Sequence, residues 1–154
     1  MTKGVDVLRR LASSIGKGLF AGAAGTAAMT ISSTIEQRVR GRKPSDAPAQ
    51  AAAKVLGVSP VGEEEKTRFS NLVHWGYGTG WGAVRGVMGA AGLRGVPAGG
   101  LFFAAIWGNE LVMLPTLCVA PPATEWGREE LAVDAGHHLV YATITSVVYE
   151  ALDS

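Results

Sequence analysis

The chain reads as an all-α integral membrane protein: an antiparallel bundle of four transmembrane helices with a short amphipathic helix in its first loop. Three observations predict this. Four stretches, Gly18–Ile35, Phe69–Val84, Gly95–Asn109 and Ala135–Tyr149, carry almost no charge. Each reaches the ~20 mostly apolar residues that a helix needs to cross a bilayer once one edge charge is allowed. Glycine, at 21 of 154 residues, has about twice its usual ~7% share and concentrates in those stretches, as it does in membrane helices whose backbones approach closely. The connections after the second and third helices are short, which favours antiparallel neighbours. Mean hydropathy is only +0.20, because Gly and Ala replace Leu and because the charged segment Glu36–Arg68 is included. A soluble Ala/Gly-rich bundle is the alternative with the same composition.

A chain of 154 residues makes one domain, 1–154. A formal net charge of +1 argues against the basic face of a nucleic-acid binder. The single cysteine, Cys118, rules out an internal disulfide and a cysteine metal cage. Residues 1–14 form a short basic lead-in with Val5, Val7, Leu8 and Leu11 on its apolar side. The apolar run that follows outlasts the ~7–15-residue core of a signal peptide, so it reads as an uncleaved first membrane helix.

Helix 1 is expected over about 15–37, where Gly18, Gly22 and Gly25 make a small-residue stripe suited to close helix packing. The extramembrane loop covers 38–68. Pro44 and Pro48 interrupt it, Ala49–Leu56 forms the short helix, and Glu63–Glu65 is a solvated face. Arg38, Arg40, Arg42 and Lys43 are placed to meet lipid phosphates, at about 1 kcal/mol each near an anionic surface. Helix 2 is expected over about 69–93, with Gly78, Gly82 and Gly86 forming two overlapping GxxxG steps. Helix 3 (about 98–117) is closed by Pro115, and helix 4 (about 129–152) ends in an acidic tail. The GxxxG faces are expected to be exposed and to pack against a second copy or a partner membrane protein. The distribution of Lys and Arg puts the long loop on the cytoplasmic side by a small margin.

In an up-and-down bundle the ionisable residues share one end. Glu36 closes helix 1 and His74 lies early in helix 2. Asn109 and Glu110 lie late in helix 3, and Asp134, His137 and His138 early in helix 4. Asp134 and His138, four apart, share a helix face, which favours His138 over His137 for the shared pocket. Ionisable groups in a membrane span cost about 2.5–3.5 kcal/mol each and face the bundle interior or a cavity. A polar pocket of His74, Asn109, Glu110, Asp134, His137 and His138 is therefore expected. Imidazole beside carboxylate suits proton exchange. It also suits a divalent metal, with His74, Glu110, Asp134 and His138 as candidate ligands. A bis-histidine haem is the weaker option, and plain helix locking needs no cofactor at all; none is predicted. Arg85, toward the far end of helix 2, is expected to snorkel or to pair with the acidic tail. No nucleophile–base pair, Walker loop, dinucleotide fingerprint or HExxH is present, so no enzyme is expected.

Three segments carry a family resemblance: GLFAGAAGTAAMT in helix 1, His74 followed by an aromatic/glycine helix, and PAGGLFFAAI…LPTLCVAPPATEW…ELAVDAGHHLVY in the second half. Together they resemble small, poorly characterised bacterial inner-membrane proteins, including the YagU-like proteins associated with acid resistance. The resemblance implies a multi-pass inner-membrane protein without enzymatic activity, tied to acid or envelope stress, and it points to His137 rather than His138.

Overall fold

Charge decides where a helix meets water, not where it stops, and three of the four long helices run past their apolar windows at both ends, the other only at its C-terminal end. The computed structural model describes residues 2–154, with side-chain surroundings from residue 4 onward; Met1 of the expected lead-in lies outside the described residues. These form five α-helices and no strand: α1 (Thr2–Arg40), α2 (Ala47–Leu56), α3 (Glu63–Ala90), α4 (Gly95–Thr116) and α5 (Arg128–Asp153), with a 3-10 turn at Ala123–Glu125. The lead-in is thus the first part of α1 rather than a separate segment, because nothing between Thr2 and Ile15 breaks a helix. Likewise α3 begins at Glu63 and not near 69, since three glutamates in a first turn suit the positive end of the helix dipole. Its end is set by Gly92 (φ +86°), and Gly95 (φ +66°) opens α4; both adopt backbone conformations open to glycine.

The glycine stripes of α1 and α3 face each other within the chain. A Cβ added to Gly22 would lie 2.8 Å from the Gly82 Cα, and one on Gly86 would lie 3.0 Å from the Ile15 Cα. Gly18 meets Gly82 and Gly86, while Thr26 fills the space beside Gly78. The expectation that these faces are exposed to a partner is therefore corrected: α1 and α3 consume them. The third glycine of the α1 stripe, Gly25, is covered by α5, where a Cβ would lie 2.9 Å from the Tyr141 carbonyl oxygen. Consequently α1 packs on both α3 and α5, and α4 packs mainly on α5. Sequential long helices run antiparallel, as the pairs Thr30–His74, Tyr77–Asn109 and Trp107–Asp134 require. The core centres on Phe102, Ile106, Tyr141 and Ala142, with Met29, Trp81, Met88 and Phe103 packed around them.

Two helices, Gly4–Arg40 and Gly95–Thr116, are long and apolar enough to cross a membrane, against the four expected. In α3 the tryptophans, tyrosine, histidine and many glycines lower the hydropathy. In α5 His137, His138, Glu150 and the two tyrosines do the same.

The α4–α5 connection is held by the first loop. The Lys54 ammonium donates to the carbonyl oxygens of Leu117 and Cys118 at 2.7 and 3.0 Å, placing a cation at the negative end of α4. Cys118 takes a left-handed conformation (φ 51°), alone among the described non-glycine residues.

Candidate functional site

A partly enclosed cavity of about 640 Å³ lies at the end of the bundle where α1 and α4 finish and α3 and α5 start. Ile106 and Tyr141 of the core line it, and the Tyr141 hydroxyl, bonded to the Gly78 carbonyl oxygen at 2.6 Å, ties α5 to α3 there. Toward the loops, Glu36 accepts from Arg42 at 2.8 Å and faces Arg40 at 3.4 Å, and Arg40 reaches Glu129 at 3.0 Å. These pairs brace the mouth.

Five of the six expected pocket residues line this cavity: His74, Glu110, Asp134, His137 and His138. They separate into distinct arrangements. Glu110, Asp134 and His138 each offer one ligand-type atom, and the three atoms lie within 4.8 Å of one another. His138 Nδ1 lies 3.0 Å from the Asp134 backbone carbonyl. A carbonyl only accepts, so Nδ1 carries a hydrogen and donates. His138 Nε2 then faces a Glu110 carboxylate oxygen at 2.6 Å, a contact between two acceptors unless a proton or a cation is shared. The other side of Asp134 is fixed by the Trp107 indole, which donates to Oδ2 at 2.9 Å, leaving Oδ1 turned toward His138 at 3.7 Å.

His74 does not join that cluster. The Thr30 hydroxyl spends its one hydrogen on the Thr26 carbonyl at 2.8 Å, so its lone pair accepts from His74 Nε2–H at 2.8 Å. His137 is on the wall as well, so both adjacent histidines reach the cavity, although the Asp134 spacing favours His138. It forms a separate row: Nδ1 contacts the Ser32 hydroxyl at 2.9 Å, and Nε2, without a hydrogen-bond partner, faces Glu36 at 3.8 Å. Asn109 does not line the cavity but donates at 2.8 Å to the hydroxyl of Tyr77, which does. The polar end is thus one cluster of three ligand-type groups plus two histidines engaged with α1.

Sequence reasoning missed Trp107 and Thr30, and it set Ser32, beside Glu36, aside as a hydroxyl that bonds back to its own helix. Trp107 was legible in principle, because it precedes Glu110 by three positions and so shares its face. Thr30 and Ser33 do bond back to their own helix, as membrane-helix hydroxyls tend to, but Ser32 does not.

The far end holds the second buried charge. Arg85, fully buried, donates to Glu150 at 2.8 Å and to Ser146 at 3.3 Å, and its guanidinium lies 4.5 Å from the centroid of the Tyr149 ring. Lys17 and Arg94 both reach Asp153, at 2.9 and 2.7 Å. Compared with known proteins, the chain matches no family model, no curated protein and no solved structure.

Proposed function

We propose that the chain is a small, non-enzymatic, multi-pass protein of the bacterial inner membrane that serves envelope or pH homeostasis, in keeping with its resemblance to the acid-resistance-associated family. The observation that carries this reading is the apolar exterior. The apolar core helix of a soluble protein is mostly buried, whereas only 17% of the most apolar window of α4 is. All four long helices present large apolar residues outward, among them Phe20 (65% exposed), Leu72 (71%), Val112 (67%) and Val147 (60%), while Arg85 is inside. In water such a surface is an aggregation liability; in lipid it is the expected one. At 1.5 Å per residue, the 22 residues of α4 span about 33 Å, enough for the ~30 Å hydrocarbon core. Lipid is the main neighbour of this surface, with a second copy or a partner membrane protein packing on the same outer faces.

The non-enzymatic part of the proposal rests on the Ser32–His137–Glu36 row. Ser32 is not on the cavity wall, and Glu36 is committed to Arg42 and Arg40, so the row reads as a tie between α1 and α5. Carbonate or urea washing of membranes tests the main reading. The protein is expected to stay in the membrane fraction and to leave it only with detergent; release by the wash would overturn it.

A second reading, that the pocket handles a proton or a metal ion, is favoured by the 2.6 Å contact between His138 Nε2 and Glu110. It predicts ion flux in proteoliposomes that is lost with Glu110→Gln, and flux indifferent to that change would remove it.

A further inference from the structure

We propose that Glu110, Asp134 and His138 bind one divalent transition-metal ion of the Zn²⁺ class, with a coordination position left open to the cavity. The inference rests on the ion-handling reading of the pocket and names the ion.

Charge argues first. Glu110 and Asp134 sit among packed helices, and their one ion-pair partner among the described residues is His138. A divalent cation would neutralise two carboxylates with a neutral imidazole, which matters where uncompensated charge is costly.

Geometry argues second. Tetrahedral zinc with bonds of about 2.0 Å sets neighbouring ligand atoms about 3.3 Å apart. The Nε2–Glu110 separation is 2.6 Å, and one ligand-type atom from each of the three residues lies within 4.8 Å of the other two, so side-chain rotation rather than backbone movement would form the site. The orienting bonds are also in place. The Asp134 carbonyl holds His138 Nδ1–H, so Nε2 presents its lone pair, and Trp107 occupies Oδ2 of Asp134 and leaves Oδ1 free. Such supporting bonds fix ligand orientation in metal sites.

Ligand chemistry selects the ion. One imidazole with two carboxylates suits zinc and its first-row neighbours, whereas Mg²⁺ and Ca²⁺ prefer oxygen alone. The lone thiol, Cys118, is exposed in the α4–α5 connection and does not line the cavity. Three protein ligands with an open position make an exchangeable site, not a closed structural one.

The test is calorimetric titration of the full chain in detergent, purified without a polyhistidine tag, with Zn²⁺, and optical titration with Co²⁺ as the spectroscopic probe. One Zn²⁺ per chain is expected, with Co²⁺ ligand-field bands of low coordination number. Glu110→Gln and His138→Ala should each weaken binding by more than tenfold, and Trp107→Phe, which removes only the orienting bond, by about 10–100-fold. His74→Ala should leave affinity unchanged, because His74 Nε2 belongs to Thr30. Circular dichroism and elution volume report whether each variant is folded; if Glu110→Gln is not, Trp107→Phe carries the comparison. Folded wild-type protein that binds no Zn²⁺, or binds it equally well in all variants, overturns the inference. In that event, protein that still resists carbonate washing leaves the membrane reading standing, and Glu110-dependent proton flux leaves the ion-handling reading standing with a proton in place of the metal.

Discussion

Arg85 shows what a single side chain does in this bundle. Its guanidinium is fully buried, bonded to Glu150 and Ser146 and set against the Tyr149 ring, so it acts as charge, hydrogen-bond donor and filler at once. Arg85→Ala removes all three. The expected loss is about 2–4 kcal/mol, under the ~3–5 kcal/mol of a fully buried broken pair, because Glu150 stays 37% exposed and keeps the Gly95 N–H. Arg85→Met restores much of the volume and is expected to cost clearly less; SDS-induced unfolding in micelles compares the two, and equal losses would make charge the dominant part. Asp153, beyond the expected span of helix 4, gives a pH-dependent counterpart. The Lys17 ammonium that donates to it, helped by Arg94, holds its carboxyl below the ordinary aspartate range. Its contribution to stability is therefore complete above the unfolded pKa of about 3.9 and is lost as pH falls through the lower folded value. The difference in melting temperature between wild type and Asp153→Asn should be steady from about pH 7 to 5 and shrink below about pH 4. The pairing of Arg85 with the acidic tail was legible from topology, because helix 2 ends where helix 4 ends. Its contact with Tyr149 was not, since it depends on a register that only packing sets.

Among the helices, α1 and α3 are joined by an interface made largely of backbone. Gly82 is surrounded by Gly18 and Gly22, and a Cβ there would lie 2.7 Å from the Gly22 Cα. Backbone has no rotamer to yield, so Gly82→Ala must push the helices apart, at about 1–3 kcal/mol by the usual cost of overpacking. Gly80, two positions away, has open space around its would-be Cβ. There alanine improves helix propensity by up to about 1 kcal/mol, so Gly80→Ala should be neutral or stabilising. Parallel unfolding curves decide the matter, and equal effects at the two positions would contradict the packing described. The stripes themselves were readable from spacing, but their partner was not: glycine at i, i+4 and i+8 reports close approach without saying which helix approaches. The ends of α1 and α3 were misplaced for a related reason. Charged residues such as Lys3, Arg9 and Glu63–Lys66 mark a change of solvent, and an α-helix satisfies its backbone equally well on both sides of it.

For the molecule as a whole, the polar cluster could be placed at one end from chain direction alone, because up-and-down connectivity brings the ends of α1 and α4 beside the starts of α3 and α5. Its division into Glu110–Asp134–His138, His74–Thr30 and His137–Ser32 depends on rotation about each helix axis, which a pattern weak in hydrophobic contrast does not specify. The same end carries the first loop, and Lys54 bonds that loop to the carbonyls of Leu117 and Cys118. Cys118 is exposed and is the chain's one cysteine, so it is a native marker for the side that the cavity faces. Adding Lys54 to Arg38, Arg40, Arg42, Lys43, Lys66, Arg68 and Arg128 at this end, against Lys3, Arg9, Arg10, Lys17 and Arg94 at the other, strengthens the positive-inside argument for a cytoplasmic cavity mouth. On the proposed membrane reading, a membrane-impermeant maleimide applied to intact spheroplasts should leave Cys118 unlabelled, and should label it once the membrane is opened. Labelling of intact spheroplasts would turn the bundle over, placing the cavity mouth toward the periplasm and making any ion in it one that arrives from outside the cell. A Cys118→Ser, Ala91→Cys protein, with its thiol exposed in the opposite turn between α3 and α4, should show the reverse pattern. The pair therefore separates orientation from simple accessibility.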